Sequence, residues 1–193
     1  MAHPDDAFFE KERIVLTDLS AIAARGVERD LDNWNFLAYL NAHVAAARVD
    51  DAVKELHAEV AAAIDCTSCG NCCRVQRPCL SAGDVTMVAD GMGLPTATVK
   101  KRYLSKVGRD AFLFRAPACP MLAERRCAVH PYRPRDCREY PHLDKDDFLS
   151  RAASAIGNYR ICPIVFNVYE RLKSAFSYDP DCDYAAEAAA HAT

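Results

Sequence analysis

The sequence predicts a mainly α-helical fold in which an irregular, cysteine-rich body with a short β-hairpin is flanked by N-terminal and C-terminal helices. Apolar residues recur at steps of three and four over residues 30–64, which is the helical period. None of the ten cysteines precedes Cys66, and five prolines between residues 117 and 141 exclude a long helix there. The predicted division is a helical arm at 1–65, a cysteine-cluster body at 66–163, and a C-terminal helix and tail at 164–193.

The apolar stripe of residues 30–64 predicts helix that packs against the cysteine-rich body or against a second subunit. Asp30 or Asp32 is expected to cap its start, because a short carboxylate accepts hydrogen bonds from the first free N–H groups. A shift in the apolar period within residues 48–51 predicts a break there between two helices. The histidines of this segment, His43 and His57, are interpreted as surface or core-edge side chains.

Two shorter helices are predicted within residues 81–108, because cap residues and glycines bound two helical patterns. The predicted starts are Ser81 for the first helix and Pro95 or Thr96 for the second, and the predicted ends are Gly91 or Gly93 and Gly108.

Three further elements are predicted between residue 110 and the end of the sequence. Alternating aromatic and aliphatic residues in "DAFLFRAP" predict a strand. Pro163 is expected at the first position of a helix in "PIVFNVYERLKSAF", where its missing N–H is tolerated. The Ala-rich end, "AAEAAAHAT", is expected to be a frayed helical end.

Composition and charge narrow the class of protein. The 193 residues carry a net charge of -3, and the mean hydropathy is -0.15. No apolar run approaches the roughly 18 residues of a membrane span, and the N-terminus lacks the pattern of a secretory signal. We therefore expect a cytoplasmic protein with no membrane partner, for which nucleic acid is a disfavoured partner. Clustered thiols in a reducing compartment usually bind metal or do redox chemistry.

The stretch "CTSCGNCC" carries the strongest chemical signal. Cys66, Cys69 and Cys72 have the C-x2-C-x2-C spacing that lets successive thiolates face one centre, as in iron–sulfur clusters, and C-x2-C is also half of a zinc site. Gly70 is expected to adopt a positive φ. Cys73 is adjacent to Cys72, and neighbouring side chains diverge, so the two thiols serve two nearby centres, or one of them is free. A vicinal disulfide is the less favoured alternative because it strains the backbone.

Four further cysteines lie far along the chain, and two of them directly precede proline. With the first four they make eight thiols, enough for two tetrahedral sites or for one cubane cluster and a second site. Cys79 and Cys182 are interpreted as peripheral. The distal candidate ligands are Cys119, Cys127, Cys137 and Cys162.

Arginines concentrate around the distal cysteines. Arg133 and Arg138 are predicted to assist the bound cofactor, because guanidinium groups offset thiolate charge and donate to sulfur. The alternatives are a solvated basic loop paired with nearby carboxylates, or an anion site. His130 and His142 flank the same loops, and either could replace a thiolate as ligand.

Three stretches together, "CTSCGNCC", "CAVHPYRPRDCREYP" and "NYRICP", resemble the CxxCxxCC family of zinc- or iron-chelating domains, also called the YkgJ-type cysteine cluster family. The resemblance covers roughly residues 66–163 and implies a metal-chelating module. One branch of the family resembles flagellin lysine methylases, but this chain lacks their length and a glycine-rich nucleotide loop. The matching positions are Cys66, Cys69, Cys72, Cys73, Cys119, Cys127, Cys137 and Cys162.

Two functions compete, and a protein lysine methylase-like enzyme is a third, less favoured alternative. The first is an iron–sulfur protein, with a 4Fe–4S cluster favoured, in redox, sensing or accessory work. The second is a structural zinc protein that binds a protein partner, in which loops fold around the metal. An enzyme is disfavoured, since the chain has no G-x-S-x-G, HExxH or P-loop, and C-x2-C here lacks the βαβ context of a thiol oxidoreductase. The partner is unidentified, and a homodimer through the N-terminal helices is one expectation.

Overall fold

The protein is described by a computed structural model that covers residues 14–116, 118–182 and 184. It is mainly helical with two small antiparallel sheets, which confirms the predicted fold class. The chain forms two compact units: a helical unit of residues 1–64 and 141–193, and a cysteine unit of residues 65–140. Residues 141–163, which were predicted to belong to the cysteine-rich body, group here with the helical unit. The division into domains at 1–65, 66–163 and 164–193 stays a prediction.

The regular elements of the described residues are short, apart from the five helices of the helical unit and α6 of the cysteine unit. The helices are α1 (Leu19–Glu28), α2 (Asp30–His43), α3 (Ala46–Ala62), α4 (Cys66–Cys69), α5 (Asn71–Val75), α6 (Ala82–Met92), α7 (Thr96–Tyr103), α8 (Arg135–Glu139), α9 (Phe148–Tyr159) and α10 (Pro163–Ala175), with a 3₁₀ turn at His130–Tyr132. The strands are β1 (Cys79–Leu80), β2 (Leu104–Lys106), β3 (Phe112–Phe114), β4 (Leu122–Ala123) and β5 (Arg126–Cys127).

The N-terminal helices begin and break at places that differ from the prediction. Helix α1 lies in the predicted helical arm, before the helix expected from residue 30. It is capped by Asp18, whose carboxylate accepts from the N–H groups of Ser20 and Ala21 at 2.8 and 2.9 Å. Helix α2 follows directly and has no side-chain cap, so the prediction of a cap by Asp30 or Asp32 was wrong. Because α1 runs almost into α2, those carboxylates lie in the first turn of α2 and not before it.

The break between α2 and α3 falls at residues 44–45 and not at 48–51 as predicted. Helix α3 runs through the predicted break because Val49 is fully buried there. The adjacent Asp50 accepts hydrogen bonds from the N–H groups of Asp147 and Phe148, both at 2.9 Å. Asp50 therefore caps the start of α9 from a different helix. Its charge, which interrupted the apolar period and suggested a break, serves a tertiary contact instead.

Helix α6 begins as predicted, with Ser81 as its cap and Asp84 completing a capping box. It ends at Gly93, which has φ +63°, one of the two predicted ends. Helix α7 follows Pro95 but ends at Tyr103, so the predicted end at Gly108 was wrong. The reason is that the next three residues leave the helix to form β2.

The three-stranded sheet has the order β1-β3-β2, and both pairings are antiparallel. Leu104 lies opposite Phe114 and Lys106 opposite Phe112, so β3 occupies the strand predicted in "DAFLFRAP". Strands β4 and β5 form a separate two-stranded hairpin. The core of the cysteine unit lies between the sheet and α6, and its buried members include Leu80, Val85, Val88, Val99, Leu104, Phe112, Phe114, Met121 and Val129.

The helical unit packs around α10, which begins at Pro163 as predicted. It also buries charge: Glu170 and Lys173 are only 5 and 8% exposed. Glu170 accepts a 2.7 Å hydrogen bond from the Tyr159 hydroxyl and pairs with Arg29. Lys173 donates to the carboxylate of Asp32 and pairs with Glu170. These groups satisfy one another inside the unit, as buried charges require.

The predicted frayed end at residues 185–193 lies outside the described residues. In the part of the chain that the structure describes, no helix is both long and apolar enough to cross a bilayer.

Candidate metal centre

Four cysteines are presented by two short helices that meet at a glycine. Asp65 caps α4 by accepting from the Thr67 N–H at 2.9 Å. Gly70 then ends α4 and begins α5 with φ +62°, as expected for this position. A Cβ on Gly70 would lie 2.5 Å from the carbonyl oxygen of Arg125. Glycine is therefore required both by the backbone conformation and by the close approach of the β4–β5 turn.

The β4–β5 hairpin is held against this glycine by one side chain. Arg74 in α5 donates from Nη2 to the carbonyl oxygen of Glu124 at 3.1 Å and from Nη1 to that of Cys69 at 3.4 Å. Glu124 itself has a positive φ of 56°, which makes the two-residue turn tight. Because β5 ends at Cys127, the clamp brings this distal thiol beside the first cysteine stretch.

A backbone hydrogen bond brings in another distal cysteine. The N–H of Cys119 donates to the carbonyl oxygen of Cys73 at 2.7 Å. The carbonyl of Cys119 in turn accepts from the N–H of Leu122 at 3.1 Å, at the start of β4. The loop before the hairpin is thereby attached to α5.

The last cysteine of the unit, Cys137, lies on the short helix α8, which two carboxylates position. Asp84 of α6 accepts from the N–H of Arg135 at 2.8 Å, and Asp136 accepts from the N–H of Cys79 at 2.9 Å. Burial would raise the pKa of Asp84, but hydrogen bonds from Ser81 and Arg135 outweigh it and hold the pKa below its ordinary value. Asp84 is thus a charged acceptor that joins α6 to α8.

Four thiols of the cysteine unit influence one another electrostatically: Cys73, Cys119, Cys127 and Cys137. Burial raises the pKa of Cys119 to about 11, with further contributions from the charges of Cys73 and Cys127. Burial likewise raises the pKa of Cys137 to about 12, and all three of the other thiols add to the shift. Burial also raises the pKa of Cys127, and Cys73 contributes there too. Because each of the three raised pKa values has a contribution from Cys73, these four thiols are neighbours, and they come from four separate stretches of chain.

The remaining cysteines of the first stretch lie beside this group. A hydrogen bond from the Cys72 thiol is the main reason that the pKa of Cys73 is lowered. Burial and the neighbouring Cys69 raise the pKa of Cys66. None of the ten cysteines forms a disulfide, so none joins Cys72 to Cys73.

The thiols are the type of ligand that soft metals prefer, but their side chains are not placed around one common point. Thiolates suit zinc and iron–sulfur clusters better than hard cations. In the described residues, however, no three His, Cys, Asp or Glu side chains are placed together so as to hold a metal ion. Binding therefore requires the thiols to turn towards a common point, within a backbone frame that already brings their segments together.

Of the eight cysteines predicted as ligands, Cys162 lies in the other unit. It precedes α10, is 6% exposed, and its N–H donates to the carbonyl oxygen of Asn158 at 2.8 Å. The other seven belong to the cysteine unit. Cys79 and Cys182, interpreted as peripheral, are both exposed, Cys79 in the cysteine unit and Cys182 in the helical unit.

The predicted arginines occupy different places around the thiols. Burial raises the pKa of Cys66 and of Cys127, and the charge of Arg133 partly offsets that rise for both. Arg133 also donates to the carbonyl oxygen of His130 at 2.9 Å, with its Nη1 3.0 Å from the His130 Nδ1. Arg138 donates to the carbonyl oxygen of Arg133 at 2.6 Å, so its contact is with the loop that carries Arg133.

His142, the other histidine considered as a ligand, belongs to the helical unit, where its carbonyl oxygen accepts from Arg151 at 2.7 Å. Three residues that build the site were not singled out from the sequence: Arg74, Asp84 and Asp136. Asp84 carried a usable signal, because Ser81 and Asp84 have the S-x-x-D spacing of a capping box. Nothing in the sequence marks Arg74 or Asp136, since their partners are distant along the chain.

The fold and the thiols of the cysteine unit define a cysteine-cluster domain of the metal-chelating class. Residues 65–155 match the family model of CxxCxxCC, described as "Putative zinc- or iron-chelating domain". The resemblance inferred from the cysteine motifs is therefore confirmed over residues 65–155. Searches of curated proteins and of solved structures found no match.

Proposed function

We propose that the cysteine unit holds an iron–sulfur cluster of the 4Fe–4S type, for redox, sensing or accessory work. The observation that carries the proposal is the group of four mutually interacting thiols within one small unit. The ligands of this centre are then Cys73, Cys119, Cys127 and Cys137. When bound, such a cluster supplies one-electron transfer at a potential that its surroundings set.

The surroundings of the thiols support an iron–sulfur cluster in two ways. Eight cysteines lie in the cysteine unit, which exceeds the four that a single structural zinc site uses. Cys66, Cys69 and Cys72 follow the C-x2-C-x2-C run of cluster-binding proteins and lie on the same α4–α5 stretch as Cys73. Burial raises the pKa of Cys66 and of Cys127, and the charge of Arg133 partly offsets that rise, which favours the thiolate forms that ligation needs.

Structural zinc is the second candidate, and a different observation favours it. Strands β4 and β5 contain two residues each, and the 3₁₀ turn and α8 that follow contain three and five. Elements this short bury little apolar surface, so a metal would supply stability that packing does not. The chain would then act by binding a protein partner.

The deciding experiment is metal and sulfide analysis, with an absorption spectrum, of protein purified without oxygen and without metal-affinity chromatography. An iron–sulfur cluster predicts a brown protein with iron, acid-labile sulfide and a broad band near about 400 nm. Colourless protein with stoichiometric zinc would contradict the first proposal and support the second. Protein with neither metal would contradict both.

Variants of single cysteines separate ligands from bystanders in that experiment. Cys137→Ser is expected to lose metal, whereas Cys182→Ser, at an exposed thiol of the other unit, is expected to keep it. Cys162→Ser tests the remaining predicted ligand. If Cys162→Ser keeps full metal content at wild-type stability, Cys162 is not a ligand.

We further propose a cytoplasmic location and a homodimer through the N-terminal helices. Ten cysteines, none of which forms a disulfide, suit a reducing compartment. The dimer is supported by three large apolar side chains near the α1–α2 junction, Val27, Leu31 and Trp34, which are 70, 83 and 45% exposed. Light scattering tests this: wild-type protein is expected at twice the chain mass and Leu31→Glu at the chain mass, and a monomeric wild type contradicts it.

A further inference from the structure

A basic depression of about 650 Å³ lies on the cysteine unit, between α7 and the edge of the three-stranded sheet. Its volume is in the range of small-molecule sites. Four of the eight residues that line it are cationic, and none of the eight is acidic. The lining residues are Ala97, Lys100, Lys101, Leu104, Ser105, Lys106, Phe112 and Arg115.

This concentration of positive charge contrasts with the chain as a whole, whose net charge is -3. The lysines at the end of α7 have one ordinary explanation, since cations are favourable at the C-terminus of a helix. That explanation does not extend to Lys106, on the edge strand β2, or to Arg115, which follows β3. Cations from three separate elements therefore converge on one depression.

Two of the cations are held in place by contacts that leave them at the depression. Arg115 donates from Nε to the carbonyl oxygen of Leu104 at 2.8 Å, and its own N–H donates to the carbonyl of Tyr103 at 2.9 Å. The Nζ of Lys100 lies 5.1 Å from the centre of the Phe112 ring. Holding these side chains before binding reduces the entropy that a ligand must overcome.

We propose that this depression binds a small organic phosphate that carries two or more negative charges. A guanidinium group matches phosphate oxygens with parallel N–H donors, and lysines add compact charge around it. Four cations can balance several negative charges, and a multiply charged phosphate carries such charges within a small volume. Ala97, Leu104 and Phe112 supply the apolar part of the lining, which suits the uncharged part of such a ligand.

The test uses the full chain with its metal, and trimetaphosphate, a compact trianion, as the probe. Binding is measured by isothermal titration calorimetry at low ionic strength, where charge interactions are least screened. The double variant Lys101→Gln with Lys106→Gln is expected to weaken binding at least about tenfold, because each lost cation removes a close charge interaction.

The matched control is Arg102→Gln with Arg109→Gln, which removes the same charge from exposed residues of the same stretch that do not line the depression. The control is expected to bind within about twofold of wild type, because only distant, screened charge has changed. No binding by wild type, or equal weakening in both double variants, overturns the proposal.

A single-stranded oligonucleotide forms the second arm of the test. Since its phosphates are singly charged and spread along a backbone, it is expected to bind more weakly than trimetaphosphate at equal phosphate concentration. Tighter binding of the oligonucleotide would overturn a small-molecule site. Metal content is measured for every variant and is expected to be unchanged, so failure here is distinguishable from failure of the metal-binding proposal.

Discussion

The N–H of Cys119 donates a 2.7 Å hydrogen bond to the carbonyl oxygen of Cys73, so two cysteines 46 positions apart share a backbone contact. Around that contact the cysteine unit is organised by backbone and carboxylate interactions that do not involve sulfur. Arg74 holds the hairpin turn through the Glu124 carbonyl, and Asp84 holds the first residue of α8. The chain segments that carry the thiols are thus positioned by groups other than the thiols.

Gly70→Ala tests the junction of α4 and α5. A left-handed conformation costs an alanine about 1–2 kcal/mol, and at this position the new Cβ would also lie 2.5 Å from the Arg125 carbonyl oxygen. We expect a lower midpoint of chemical unfolding and a loss of bound metal.

Gly93→Ala is the matched control for this change, because Gly93 has φ +63° but nothing within 4 Å of the added Cβ. The free energy of unfolding of Gly93→Ala is expected to fall only by the cost of a left-handed alanine, about 1–2 kcal/mol, and the variant is expected to keep its full metal content. Equal unfolding midpoints for the two variants would contradict the conclusion that the close approach of the Arg125 carbonyl requires glycine at position 70.

Asp84→Asn tests the link between α6 and α8. The change removes the charge that accepts from Ser81 and Arg135, and we expect a loss of about 1–3 kcal/mol in the free energy of unfolding. Asp90→Asn, at an exposed position of the same helix, is expected to change little. A similar loss in both variants would show that the link itself contributes nothing.

The same residue predicts a pH dependence. Because the pKa of Asp84 is lower in the folded protein than its ordinary value of 3.8, its contribution to stability is present above that value. The contribution is lost as the pH falls through the lower, folded pKa. The stability difference between wild type and Asp84→Asn should therefore be constant from pH 7 to pH 5 and shrink below pH 4, as measured by urea unfolding.

Lys173→Met tests the buried charges of the helical unit. Removing this cation leaves the carboxylates of Asp32 and Glu170 without one partner, and breaking a buried pair in this way typically costs about 3–5 kcal/mol. Lys54→Met removes an exposed lysine paired with Asp146 and is expected to leave the unfolding midpoint unchanged. Thermal unfolding followed by circular dichroism compares the two, and a Lys173 variant as stable as wild type would contradict the stabilising role.

Proton release should accompany metal binding. Because burial raises the pKa of Cys119 to about 11 and that of Cys137 to about 12, both thiols are protonated at pH 7 and must lose protons to ligate. Calorimetric titration of metal-depleted protein with zinc, in buffers of different ionisation enthalpy, should show proton release. The affinity for zinc should decrease as the pH is lowered. Cys137→Ser should release fewer protons, and an unchanged number would remove Cys137 from the ligand set.

Local signals in the sequence predicted local structure well. Ser81 and Pro163 mark helix starts through their own backbone and side-chain chemistry, and Gly70 marks a left-handed residue. The prediction failed where a distant partner decides: Asp50 suggested a break but caps α9, and residues 104–106 leave the helix to pair with β3. For the site, spacing identified the cysteines, whereas the hairpin clamp by Arg74 depends on tertiary contacts that one sequence does not reveal.

The helical unit is assembled from two stretches of chain, one before the cysteine unit and one after it. During synthesis from the N-terminus, α1, α2 and α3 emerge first, but α9 and α10, against which they pack, are made last. The cysteine unit, by contrast, is complete in sequence at Tyr140. The growing chain therefore passes through a stage in which all eight thiols of the cysteine unit have been made while the first three helices still await their partners.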